Sequence, residues 1–472
     1  MIAFDFKNNK RHVHFIGIGG ISMSGLAEIL HHNHFIVSGS DMKESKITQH
    51  LREIGIPVTI GHSKENIQGA DVVIFTDAIS LDNEELRGAI EAKVDLIDRA
   101  SFLGMLMKNY KKSIAVSGTH GKTTTTSMIS CMIRNLKEDP TILLGGELDE
   151  IKGNVRFGKK ELFLTEACEY KANIVKYFPT TAIILNMDED HLDYFDNMDH
   201  IYRTFLQYGQ NIPPEGYLVL NMDNAYVQKL IPEVQAHVVT FSIQQEADYQ
   251  AKNIRFSEAG LASFDLYYHG DFIRPIHLKV MGLHNIYNAL AAIASVHENG
   301  LDFDLAIQGL ESYRGVHRRL EYKGSKNGIS VIDDYAHHPT EIQSTLHALR
   351  QAAQGKIYCV FQPHTFTRTK LLLDGFAHSF HEADSVIITD IYAAREKDYG
   401  DIHSKTLVDA INKIGDHAQY LADFDEIVDF CKKKLQPRDT LLTMGAGDVY
   451  LIGEKFLENH NHRLSRWFVL PL

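Results

Sequence analysis

Ser113-Ile-Ala-Val-Ser-Gly-Thr-His-Gly-Lys-Thr-Thr-Thr-Thr126 is a short apolar run, then a glycine-rich turn, then a lysine and a row of hydroxyls. The order predicts a strand, a tight loop and the start of a helix. Nucleoside triphosphate binding needs this order. Gly118 and Gly121 let backbone N–H groups approach phosphate oxygens, with Thr119 and His120 between them. Lys122 reaches the outer phosphates as a point charge. Thr123 offers a hydroxyl to Mg²⁺, Thr124 follows it, and the helix N-terminus adds its field to the anion site. The loop is about one residue tighter than the common phosphate loop.

The chain has 472 residues and an ordinary globular composition, 44% hydrophobic and 23% charged. That length suggests several domains. The formal charge of −13 argues against nucleic acid as the main partner, because phosphate contacts need a basic face. The four cysteines, Cys131, Cys168, Cys359 and Cys431, form no Cys-x-x-Cys pair and read as reduced thiols of a cytoplasmic protein. Met1 to Arg11 has no apolar stretch of a secretory signal. No run approaches the roughly 18 apolar residues of a membrane span.

Working outward, the chain divides into three α/β units. Residues 1–109 open with the strand His12–Ile16 and the turn Gly17-Ile-Gly-Gly-Ile-Ser-Met-Ser-Gly25, which includes Gly19 and Gly20. A helix, a second strand and Ser40-Asp41 follow. This is a Rossmann-like pattern, with Ser22 where the third glycine of the dinucleotide fingerprint belongs and Asp41 placed like a ribose-binding acid. Residues 110–317 hold the Lys122 loop in a mostly parallel sheet. Two nearly all-apolar strands end in polar clusters at Glu166–Tyr170 and Asn186–Asp193, and ligands of open α/β sheets bind at strand carboxyl ends. Residues 318–472 alternate again and predict a second Rossmann-like sheet with its own binding edge. The segment after Asn459 carries no readable pattern.

Mg·ATP on the loop needs hard oxygen ligands. Glu166, closing a strand of the same sheet, is the first choice, and His191 lies at the end of the neighbouring strand. Asp188, Asp190 and Asp193 read as solvated acids or caps. Arg318 and Arg319 sit where the second and third units meet, placed to reach a transferring phosphoryl group or to form an interdomain salt bridge. Of His337 and His338, which precede Pro339, one is expected to face the site, since neighbours in extended chain point opposite ways.

Together the clusters resemble the Mur ligase family, ATP-dependent amide-forming ligases of peptidoglycan precursor synthesis. The resemblance spans roughly residues 12–450. It is carried by Gly17–Gly25, Gly118-Thr-His-Gly-Lys-Thr-Thr124, Gly282-Leu-His-Asn-Ile-Tyr-Asn-Ala289, Asp334-Tyr-Ala-His-His-Pro-Thr-Glu341 and Phe361-Gln-Pro-His364. The first and last point to the alanine-adding branch. The resemblance implies a three-domain fold with UDP-N-acetylmuramate and L-alanine as substrates, ATP and Mg²⁺ as cofactors, and a monomer or homodimer. It implies catalytic roles for Lys122, Glu166, His191, Arg318 and His338, and a metal held by Thr123, Glu166 and His191. His284, Asn285 and Asn288 would join the loop around the nucleotide. Gly17, Gly19, Gly20, Ser40 and Asp41 would hold the UDP moiety, and Asp334, His338 and Arg368 the acid and amine. Many relatives have Glu-Ala-Asp-Glu-Ser-Asp where this chain has Glu166-Ala-Cys-Glu-Tyr-Lys171, which carries over Glu166 rather than Glu169. Many also have arginine at Thr365, leaving Arg368 as the substrate arginine. The rival readings are a tripeptide-recycling ligase of the same family, a nicotinamide-dependent oxidoreductase read from the first glycine turn, and a P-loop switch or ATPase.

Overall fold

A computed structural model describes residue 4 and residues 6–80, 82–394, 396–415 and 417–458. The uninterpreted segment 459–472 lies outside the described residues. Three sheets follow one another along the chain. The first runs Val58–Ile60, Ile36–Asp41, His12–Ile16, Val72–Phe75, Asp95–Asp98, all parallel. Chain order reverses beside His12–Ile16, so the Gly17 turn leaves that strand at the sheet's switch point, where such sheets bind ligands.

The second sheet has ten strands, and the Lys112–Ser117 strand lies inside it. Leu162–Glu166 flanks it on one side and Thr181–Ile184 on the other, both parallel. The carboxyl ends of these three strands therefore converge. Beyond Tyr217–Asn221 and His237–Ser242, Tyr249–Phe256 still pairs in parallel, and Leu261–Tyr268 and Asp271–Met281 then follow antiparallel. Sequence reading had not separated this extension. Leu261–Tyr268 buries alternate residues, the mark of a strand with one covered face rather than two. The helix Leu283–Glu298 returns across the sheet and buries Asn285 and Asn288 with its apolar residues.

The third sheet runs Glu321–Lys326, Ile329–Asp334, Thr440–Met444, Ile357–Phe361, Ser385–Ile388, Ala418–Tyr420, with only the first pair antiparallel. Apolar side chains cover both of its faces. One apolar cluster, by contrast, runs continuously from Phe15, Leu26 and Phe102 of the first unit to Phe163, Ile184 and Phe205 of the second. Removal of that surface from water welds these two units together, whereas the third keeps a core of its own.

The weld is close. Asn154 donates to the Ile21 carbonyl at 2.7 Å, and Lys176 pairs with Asp98 at 2.9 Å. On the helix Arg99–Met107, Gly104 lies against the Lys176 carbonyl, so near that a Cβ would overlap the oxygen. Gly104→Ala is expected to destabilise the protein by about 1–3 kcal/mol, the usual range for overpacking. A thermal unfolding scan showing no drop in melting temperature would contradict this contact.

Candidate functional site

The Lys122 loop is shaped by what surrounds it. Gly118 (φ 132°) and Gly121 (φ 86°) occupy the left-handed region that favours glycine. A Cβ on Gly121 would come within 2.7 Å of the Asn288 side-chain oxygen. Asn186, at the end of the neighbouring strand, accepts from the His120 N–H at 2.8 Å and donates to the His120 carbonyl at 3.1 Å. Its own carbonyl accepts from the Thr119 N–H. The sequence placed Asn186 in a polar cluster without this role.

Lys122 points into the hollow of its loop. Its Nζ donates to the carbonyls of Gly118 (2.5 Å) and Thr119 (3.0 Å) and to both carboxylate oxygens of Glu169 (2.9 and 3.1 Å). Burial works against the charge, but Glu169 and its neighbours outweigh it and raise the lysine's pKa. Glu169, which the resemblance did not carry over, is thus the loop's buried counter-ion. Thr123 donates to Glu166 at 3.0 Å, and Glu166 also accepts from the Gly145 N–H at 2.8 Å. Burial pushes the Glu166 carboxyl up despite those donors; a cation beside it would reverse that effect. His191 (φ 52°) lies against Tyr170, with Nε2 3.7 Å from Glu169. The structure brings the Thr123 hydroxyl and the Glu166 carboxylate together, both oxygen ligands of the kind hard cations take, whereas His191 lies against Glu169.

Behind the loop opens a cavity of about 320 Å³, lined among others by Thr124, Asn221, His284, Asn285, Tyr287 and Asn288. Asn285 donates to the Met281 carbonyl and accepts from Asn288. Burial and Arg319 hold His284 neutral, down to about 4.

The two arginines separate. Arg318 donates to Asp333 (3.1 Å) and to the Gly445 carbonyl (2.6 Å), under the rings of Tyr335 and Tyr450. It props up the third unit. Arg319 lines the cavity, 3.6 Å from Glu341. Positive φ at Arg318 and Leu320 bends the chain here and turns the neighbouring side chains apart. Arg318, expected at the reaction centre, is thus held inside the third unit, and its neighbour Arg319 borders the cavity.

Asp188-Glu189-Asp190 form a seam with the third unit rather than solvated acids. Asp188 accepts from Thr340 at 2.6 Å, the Glu189 carbonyl accepts from His338 Nε2 at 2.8 Å, and Asp190 takes the Arg368 fork at 2.8 and 3.3 Å. His338 also accepts from the Thr340 N–H. Both of its ring nitrogens are engaged and it is buried, so it fastens the seam. Asp193 accepts from Tyr170. Between the units, His120 stands 3.4 Å from Asp188 and 3.4 Å from Glu341. Burial opposes its charge, but the two carboxylates raise it to about 9. Asp334 borders the cavity, yet its carboxyl is occupied by the N–H groups of Leu320 and Ala336 and by Thr345.

At the first sheet, the Gly17 and Ile18 N–H groups donate to the Ser40 carbonyl. Asp41 accepts from the Gly19 N–H at 2.9 Å, so it braces the turn. The Ser40 hydroxyl donates into a buried cluster with Glu85 and His62. Gly20 precedes the helix Ile21–His32 with no side-chain cap, leaving that helix end suited to an anion.

This arrangement has counterparts in known proteins. Residues 12–111 match the model of the Mur ligase family, catalytic domain; residues 116–296 match the Mur ligase middle domain; residues 318–447 match the Mur ligase, glutamate ligase domain. The chain belongs to the Mur ligase family. It is 50% identical over 459 residues to the UDP-N-acetylmuramate--L-alanine ligase of Alkaliphilus metalliredigens, covering 97% of this chain and 99% of that one. It is 51% identical to the protein of the same name from Clostridium acetobutylicum, covering 97% and 100%. A crystal structure of UDP-N-acetylmuramate-alanine ligase from Thermotoga maritima superimposes with a TM-score of 0.79 at 30% identity, covering 94% of this chain and 98% of that one.

The His120 contact gives this Mur ligase a pH signature. A histidine raised from 6.5 in the unfolded chain to about 9 in the fold contributes fully below the lower value. The contribution is lost as pH rises through the higher one. The melting temperature is expected to fall between roughly pH 7 and pH 9.5, and His120→Gln to flatten that slope. An unchanged slope in the variant would show that His120 is not the group.

Proposed function

We propose that the chain joins L-alanine to the lactyl carboxylate of UDP-N-acetylmuramate at the expense of ATP, through an acyl phosphate. The observation that carries this is the Lys122 loop with Thr123 and Glu166 at its mouth, in a chain that shares half its residues with relatives named for that reaction. The tripeptide and oxidoreductase readings gain no such support. A murein peptide ligase from Psychrobacter arcticus is only 25% identical, with a TM-score of 0.71 over 95% of this chain and 98% of that one.

The chemistry sets the parts. A carboxylate is a poor acylating agent, and phosphorylation supplies its leaving group. Two anions must meet, so positive charge has to face both. Lys122 holds the outer phosphates of ATP in place of its present carbonyl partners, and Arg319 faces the transferring group from the third unit. Thr123, Glu166 and His191 would hold Mg²⁺, which would supply charge neutralisation at the phosphates. His284, Asn285 and Asn288 surround the base and sugar of the nucleotide. The Gly17–Gly20 turn binds the UDP diphosphate, near Ser40 and Asp41. Arg368 binds the carboxylate of the amino acid once it leaves Asp190. Residues 1–109 thus serve the UDP sugar, 110–317 ATP, and 318–472 the amino acid. The acyl phosphate hydrolyses in water, so the seam between second and third units closes before it forms. Among the described residues no helix is long and apolar enough to cross a membrane.

Phosphate release is expected only with ATP, UDP-N-acetylmuramate and L-alanine all present; release without the amino acid would point to a simple ATPase. Lys122→Ala is expected to lower turnover by at least about 100-fold while the protein stays folded. Near-normal ADP formation by that variant would sink the assignment.

A further inference from the structure

The coupling reaction leaves one proton without a destination. The amino acid arrives as an ammonium ion, and its nitrogen attacks only after losing a proton. We propose that Nε2 of His337 accepts it, a role that rests on the ligase reading above.

The tautomer carries the argument. His337 Nδ1 lies 2.9 Å from the Tyr335 carbonyl. A carbonyl only accepts, so Nδ1 bears the hydrogen and Nε2 the lone pair. Among the described residues Nε2 has no hydrogen-bond partner. The ring stands in the turn after the strand Ile329–Asp334, at the carboxyl edge of the third sheet. It meets the His364 ring edge-on at 5.6 Å, and His364 Nδ1 accepts from Arg368 at 3.1 Å. His337 thus borders the cation that receives the amino acid's carboxylate. Asp190, on which Arg368 rests, also lies near the rings of His191, His338 and His337. The knot reaches from the third unit's edge to the side where His191 and Glu169 adjoin Lys122.

The other imidazoles of this cleft are committed. His338 uses both nitrogens. His364 accepts at Nδ1, so its Nε2 carries the hydrogen. His120 is an imidazolium between Asp188 and Glu341. His284 lines the nucleotide cavity. The charged and titratable groups facing His337 are Glu341, Arg368, Asp190, His364 and Tyr335. Burial keeps the ring neutral, down to about 3, with Arg368 adding to that and Glu341 opposing it. When the amino acid's carboxylate takes the Arg368 fork, the cation is neutralised and Asp190 is left facing the ring. Both changes raise its basicity as the ammonium arrives.

The step balances. Nε2 takes one ammonium proton, and the nitrogen lone pair forms the C–N bond to the acyl carbon. The C–O bond to phosphate breaks, and phosphate leaves with its electron pair. The second proton passes from the new amide nitrogen to that phosphate.

The test is His337→Asn, which keeps an amide donor near the Tyr335 carbonyl and removes the base. Alanine turnover at neutral pH is expected to fall by about 10²–10⁴-fold, the range for a general base. Turnover with hydroxylamine, uncharged at neutral pH, is expected to stay near that of the unaltered enzyme. The variant's alanine rate should climb about tenfold per pH unit as free amine accumulates. An equal loss with both nucleophiles, or alanine turnover within about threefold of the unaltered enzyme, would overturn the proposal. The pH profile supplies a second measurement. With hydroxylamine the acid limb should follow only the nucleophile's own protonation, while alanine turnover should show a separate limb that His337→Asn removes; an alanine limb unchanged in the variant would count against His337. If the unaltered enzyme fails to couple alanine at all, the ligase reading itself fails, which separates the two outcomes.

Discussion

The buried ammonium of Lys122 is the constraint around which the second unit is organised. A charge taken out of water needs partners on every side, and here two loop carbonyls and Glu169 supply them. Those partners dictate the loop's tightness and its two left-handed glycines. They also require the Glu166–Glu169 segment to close over the loop from the adjacent strand. Because Glu169 in turn faces His191, the ends of three parallel strands are tied into one charged floor. The lysine and its loop are therefore organised by contacts within the protein itself.

Charge also governs how the units meet. The first two share a continuous apolar core, and water expelled from it holds them as one body. The third has separate cores on both faces of its sheet and touches the second through Asp188, Glu189 and Asp190. Polar and ionic contacts of this kind are far easier to open than buried apolar surface. The bend from Gly315 to Leu320, with positive φ at Gly315, Arg318 and Leu320, sits at the crossing point. The structure therefore joins the first two units through shared apolar surface and the third through a seam of polar and ionic contacts.

The same seam explains why residues adjacent in sequence have different tasks. Arg318 is consumed inside the third unit, while Arg319 lines the cavity behind the Lys122 loop. His338 fastens the seam, while His337 keeps a free lone pair at its edge. In each pair a sharp bend or an extended backbone sends consecutive side chains to opposite sides.

Local signals were enough to read the strand–loop–helix around Lys122, the glycine turn of the first unit, and the strands of the third. Each depends on apolar runs, glycines and spacing within a dozen residues. Thr123 beside Glu166 was also legible, because Thr123 opens the helix that follows one strand and Glu166 ends the parallel strand beside it. Hidden in the sequence were Glu169 as the lysine's counter-ion, Asn186 as the loop's brace, Arg319 in place of Arg318, and the ion pairs of Asp188 and Asp190. These are set by which side chains face each other across strands and between units far apart in the chain. The antiparallel extension from Tyr249 to Met281 depends likewise on which face of each strand another element covers. Sequence periodicity determines what a segment can become; the direction of a side chain at a bend, and the charge it meets there, are decided only when the sheets pack.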